Sequence, residues 1–197
     1  VEIYTKVLEY CEQYGESIQL GICLNGLGIA YKNLGYPDKA LAVLLRAMAI
    51  PEVMVSPRFY TSILNAIGNL YGYLDDYTQS LSYYTQALKF LEKNEDVSST
   101  RGTLLNISSV HRTAGNHKQA LATALHVLQL CTDEALTHRI HCLSLIGGLY
   151  MDIGDYDTAL EYEQQALNFA LRNKEHRTLF SIYLYIGEIY EKKCRYE

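Results

Sequence analysis

The chain has 197 residues, 49% hydrophobic and 20% charged, a balance that excludes intrinsic disorder. A formal net charge of −5, with 17 scattered lysines and arginines, excludes the basic footprint that nucleic acid or anionic lipid requires. No apolar run approaches the ~20 residues of a membrane span, so no membrane partner is expected of this segment, and the five cysteines, odd in number and without a CxxC, point to a reducing, cytoplasmic setting.

Residues 1–14 carry Ile3, Tyr4, Val7, Leu8 and Cys11 at the spacing of a helix with one buried stripe. A first helix with Leu24, Leu27, Gly28 and Tyr31 on one face follows, then a turn at Gly35 and a second helix opened by Pro37 with Ala40, Leu44 and Ala47 inward. Prolines 51 and 57 bracket PEVMVSP, which is expected to be the loosest joint of the chain. The pattern returns as Leu64, Ile67, Gly68 and Tyr71, with Asp75 at the turn and Tyr77, Ser80, Tyr84 and Ala87 in the helix after it. Ser98 or Ser99 is the expected cap of the next helix, which carries Ser108 for the glycine and His111 for the tyrosine. The type is restored at Leu143, Ile146, Gly147, Tyr150, Gly154, Tyr156, Ala159 and Ala166, and begins once more at Ile186, Gly187 and Tyr190.

Gly28, Gly68, Ser108, Gly147 and Gly187 follow one another at steps of 40, 40, 39 and 40 residues. So regular a period marks a repeat array. The small residues let each second helix approach closely, at ~1 kcal/mol in helix propensity that packing must offset, while the tyrosines are expected to fill the space between successive units. One array over 1–197 follows: a second helix at 1–14, repeats at 21–53, 58–94, 98–131 and 137–173, and the start of another at 176–197. Because the chain opens and closes within repeats, a piece of a longer protein is expected.

The motifs LxxLGxxY at 24–31 and LxxIGxxY at 64–71 and 143–150, followed by alanines in the second helix, resemble the tetratricopeptide repeat in a long form of about 40 residues per unit. That resemblance covers essentially the whole chain. It implies an all-α fold, a right-handed α-α superhelix (solenoid) of antiparallel helix pairs, that binds a peptide or partner domain in a concave groove lined by first helices. The alternative it leaves open is the sensory or regulatory part of a larger, possibly bacterial, signalling protein carrying a kinase, nucleotide cyclase or transcription-regulating unit.

By register the groove positions are Asn25, Ile29, Lys32 and Asn33; Ser62, Asn65, Asn69, Gly72 and Tyr73; Leu105, Ser109, Arg112 and Thr113; His141, Ser144, Gly148 and Met151; and Leu184, Glu188 and Glu191, with Asn106 one place off. The partner-binding set drawn from them is Asn25, Lys32, Asn65, Asn69, Tyr73, Asn106, Arg112, His141 and Glu188. The asparagine amides suit a peptide backbone because each donates and accepts at once. A carboxylate clamp for chaperone tails is not expected, since Ile29, Gly102 and Leu105 stand where the family's clamp needs polar or basic residues. Cys131, His138, His141 and Cys142 have spacings of about one helical turn, but Cys142 falls on the packing side and no second ligand pair follows, so no metal is expected. Nor is there a phosphate-binding glycine loop or a nucleophile beside a base, so neither a cofactor nor enzyme activity is expected. The unpaired stripes of the terminal helices, in residues 1–14 and 174–193, make self-association a further expectation.

Overall fold

The computed structural model describes residues 2–15, 17–132 and 135–196. Among these every regular element is an α-helix: α1 Glu2–Tyr14, α2 Ser17–Asn33, α3 Pro37–Met48, α4 Pro51–Met54, α5 Pro57–Tyr73, α6 Tyr77–Lys93, α7 Val97–Thr113, α8 His117–Leu130, α9 Leu136–Asp152, α10 Tyr156–Arg172 and α11 His176–Tyr196. Within each unit helices pack in adjacent pairs, α2 with α3, α5 with α6 and α9 with α10 most extensively. The chain divides into two compact units, residues 1–103 and 104–197.

The first unit is built on Leu24, Ala40, Leu44, Ala47, Ile63 and Ile67, all essentially closed to solvent. Gly28 and Gly68 are the close approaches. A Cβ on Gly28 would meet Leu44 at 2.6 Å, and one on Gly68 would meet the Tyr84 ring at 2.8 Å. Ser80 secures the second approach from the facing helix by donating to the Gly68 carbonyl at 2.8 Å. Short turns are possible because each chain reversal adopts left-handed backbone, at Gly35 (φ 77°) and at Asp75 (φ 58°), with the following N–H reaching back to the helix. Asp76 caps α6 by accepting from Gln79 N–H.

Two local expectations are corrected here. PEVMVSP is a helical turn rather than a loose joint: Pro51 and Pro57 each occupy the first turn of a helix, where the missing N–H is harmless, and Val53 between them is fully buried. The cap of α7 is Asp96, whose carboxylate accepts from both the N–H and the hydroxyl of Ser99, and these bonds hold its pKa below the ordinary value. Charge at a helix N-terminus outcompetes the neutral serines.

The second unit repeats the plan. Ala120, Ala124, Val127, Cys142 and Ile146 form one apolar cluster, while Ile140, Leu143, Ala166, Ala170 and Ile182 form another. Ser108, in the glycine's place, is fully buried and donates to the Ala120 carbonyl at 2.7 Å, so its hydroxyl is satisfied across the pair. Tyrosines stack within a pair, Tyr150 on Tyr162 here and Tyr71 on Tyr83 in the first unit, at centroid distances of 5.6 and 5.5 Å, and Tyr150 also packs against the cluster that includes Ile189 of α11.

Candidate functional site

Residues of three first helices, α7, α9 and α11, line a half-open cavity of about 510 Å³. Their inward positions supply Ser109, Arg112 and Thr113 from α7, His141, Ser144 and Asp152 from α9, and Thr178, Ser181 and Tyr185 from α11, over a floor of Ile140, Leu145 and Ile182. Two of the residues chosen from sequence, Arg112 and His141, therefore line the same cavity, together with the register positions Ser109, Thr113 and Ser144.

Arg112 is fixed in this cavity. Its Nε and Nη2 donate to the two Asp152 oxygens at 2.6 and 3.1 Å, and Nη2 also donates to the Gly148 carbonyl at 3.2 Å. The Asp152 bonds hold the guanidinium pKa above its usual value against the opposing effect of burial. Gly148 is the residue that admits this side chain, since a Cβ there would collide with the guanidinium. The pair is bidentate and partly shielded, which gives it more orienting power than an exposed ion pair has.

Behind the cavity wall lies Glu163 of α10, which is fully buried. Its Oε2 accepts from the Ser144 hydroxyl at 3.0 Å, whereas Oε1 has no hydrogen-bond partner and lies 3.0 Å from where a Gly147 Cβ would be. Burial pushes this carboxyl up to about 7, with the Ser144 bond and the Arg112 charge pulling the other way. Ser144 thus has one side on the cavity and the other on a titratable group.

The asparagines are placed differently from one another. Asn25 and Asn65, both half-buried, donate to the next first helix, to Ser62 Oγ at 3.1 Å and Thr103 Oγ1 at 3.0 Å. Asn69 is exposed yet accepts the Tyr84 hydroxyl of its own pair at 2.8 Å. Asn25 also borders a smaller cavity of about 210 Å³ with Arg58, Phe59 and Ser62. Lys32, Asn106 and Glu188 are half-buried, and Tyr73 is exposed; none of these four lines either cavity. Leu105 and Met151, assigned to the groove by register, are buried in the core instead. Cys142 is packed inward, its Sγ donating to the Ala124 carbonyl and its pKa pushed up to about 12 by burial, while His141 is exposed. Among the described residues no three His, Cys, Asp or Glu side chains cluster as metal ligands do, and no helix is long and apolar enough to cross a membrane.

Sequence reasoning missed Asp152, Tyr185 and Glu163. Arg112 and Asp152 stand 40 residues apart, one period, so opposite charges at that separation were the available signal.

No curated protein matches the sequence. Solved structures do match the fold. BtubC (BKLC) from P. vanneervenii aligns with a TM-score of 0.80 at 16% identity, over 98% of this chain and 82% of that one. A signal transduction ATPase with numerous domains and a tetratricopeptide repeat sensor, from Pyrococcus horikoshii, aligns at 0.78 and 19% over 94% of this chain, which spans only 29% of that protein. Aspartyl phosphate phosphatase F from Bacillus subtilis aligns at 0.76 and 15% over 89% of this chain and 48% of its own. One tetratricopeptide repeat model matches residues 60–133 and 99–172, and a second matches 23–52. With more than half of its length matched by that model and its helices paired as the repeat requires, the chain belongs to the tetratricopeptide repeat family.

Proposed function

We propose that the chain is a non-catalytic protein-interaction module that takes a peptide or partner segment on its first-helix faces, with the α7–α9–α11 cavity as the anchoring site. The observation that carries this reading is the cavity itself: three helices converge their hydroxyls, His141 and the braced Arg112 on a space large enough for ligand side chains. Arg112 and its neighbours are held before any ligand arrives, so binding would order few groups and lose little entropy. Asn25, Asn65 and Asn69 join this reading as braces of the surface, because their donors or acceptors already serve neighbouring residues. The free cysteines suit a cytoplasmic setting, four of them being buried.

Selection of a displayed peptide library on the chain, with counter-selection on a cavity-filling Ser109→Trp variant, tests the assignment. Peptides retained by the parent should lose about tenfold or more in affinity on Ser109→Trp, and on His141→Ala to a lesser degree. Peptides that bind all three proteins equally would remove the cavity from the binding site.

A second reading, as the sensory portion of a signalling protein, is favoured by the likeness to a structure whose tetratricopeptide repeats are named as a sensor. An output domain in the parent sequence would support it, and a parent made only of repeats and short linear motifs would exclude it.

A further inference from the structure

We propose that the α7–α9–α11 cavity is selective for a primary ammonium group, held by hydroxyl oxygens whose own protons are already committed. This rests on the reading of that cavity as the anchoring site and names what it anchors. A carbonyl oxygen can only accept, so a hydroxyl bonded to one has spent its proton. Thr113 donates to the Ser109 carbonyl at 3.0 Å, Thr178 to that of Glu175 at 3.2 Å, and Ser181 to that of Thr178 at 2.8 Å. Ser144 donates to Glu163 Oε2 at 3.0 Å. All four hydroxyls line the cavity, and what they have left to offer it is lone pairs. An ammonium has three protons to give and accepts nothing, which makes it the complement of such a lining.

Charge points the same way. Arg112 of α7 is neutralised by its bidentate bond to Asp152 of α9, and Tyr185 of α11 stands beside it. Lys193 of α11 is taken up by Asp157 of α10, and His141 of α9 is exposed at the same cavity. The charge left to be balanced is that of Glu163, fully buried behind Ser144 with Oε1 unbonded. Above its pKa of about 7 this group is a carboxylate that attracts a cation and keeps the Ser144 proton. Below that value its own proton can serve Ser144, whose hydroxyl is then freed to donate outward. Both effects favour an ammonium at higher pH, and by reciprocity a bound ammonium lowers the carboxyl's pKa. Ile140, Leu145 and Ile182 on the cavity floor suit the apolar stem of a lysine, with the free α-amine of a chain as the other source of the same chemistry.

NMR titration of the 197-residue chain with N-acetyl-lysine methylamide tests this, followed through the backbone amides of the cavity residues. At about pH 7.5 this probe should bind about tenfold or more tighter than its norleucine counterpart, and N-acetyl-glutamate methylamide should not compete with it. Leucine methylamide, compared with its N-acetyl form, separates a chain terminus from a side chain as the source of the amine. Affinity for the lysine probe should fall several-fold from about pH 8 to 6 in the parent and in His141→Ala, and should be weak and level in Glu163→Gln. Ser181→Ala, at an exposed position, should weaken binding while the thermal midpoint holds. The proposal is overturned if neither amine outbinds its amine-free counterpart, if the glutamate probe is preferred, or if Glu163→Gln keeps the pH dependence, which would assign it to another group. The anchoring-site reading fails separately, when selected peptides ignore Ser109→Trp. Peptides that need the cavity but no amine would keep that reading and sink this one.

Discussion

The pairs α5–α6 and α9–α10 are the same structure with different fillings, and the difference shows what the repeat demands. In both, a glycine on the first helix opens a slot for one side chain of the second. In α5–α6 the slot holds Tyr84, 1% exposed, whose hydroxyl donates to Asn69 and whose pKa is pushed up to about 12 by burial. In α9–α10 it holds Glu163, with one oxygen bonded to Ser144 and the other unbonded. The fold specifies the slot and leaves its chemistry open. Only the carboxyl makes a pair sensitive to pH within the physiological range.

The largest way to break the α5–α6 pair is to empty the slot. Tyr84→Ala should cost about 3 to 5 kcal/mol, as for other large buried aromatics, read from the denaturation midpoint at constant m-value. Its counterpart in α9–α10 is a pH ramp. Glu163 has a folded pKa near 7 against an ordinary 4.5, so the folded state holds its proton more tightly. That contribution is complete below the unfolded value, is lost as pH rises through about 7, and is flat above it. Glu163→Gln should remove the ramp and, at about pH 8, be more stable than the parent by up to about 3 kcal/mol. Thermal midpoints measured from about pH 5 to 8 check this, and a parent whose midpoint does not fall over that range would contradict it. The smallest effect compares the turns, where α5–α6 uses Asp75 and α9–α10 uses Gly154 with φ 86° and no neighbour within 4 Å of a built Cβ. Gly154→Ala should therefore show the backbone term alone, about 1 kcal/mol of lost stability in equilibrium unfolding.

The residues that set backbone geometry were legible in the sequence, because their demands recur with the period. Gly28 and Gly68 could carry no Cβ without displacing Leu44 or Tyr84, Gly147 faces Glu163 with a built Cβ only 3.0 Å away, and Gly35, Gly115 and Gly154 all adopt positive φ. Glu163 was not legible. It stands in EYEQQ, which reads as a solvated helix face, since an unpaired buried glutamate is rare. Only counting two periods on from Tyr84, through Ala124, places it inward. The asparagines were visible as first-helix polar residues, but which hydroxyl each amide would find depended on the rotation of the next helix, and residue spacing does not carry that rotation. The Arg112–Asp152 clamp was half visible, as a cation in the groove register whose partner lay one repeat later.

The facing residues also bear on how such an array changes over time. Leu44, Tyr84, Ala124 and Glu163 occupy one position of the second helix, opposite glycine three times and Ser108 once, and the smallest of the four stands opposite the larger partner. Bulk on one side is matched by its lack on the other. A first helix transplanted from one repeat into another would collide or leave a void unless its own second helix travelled with it. The unit of exchange in this chain, for recombination or for an engineer shuffling repeats, is the helix pair.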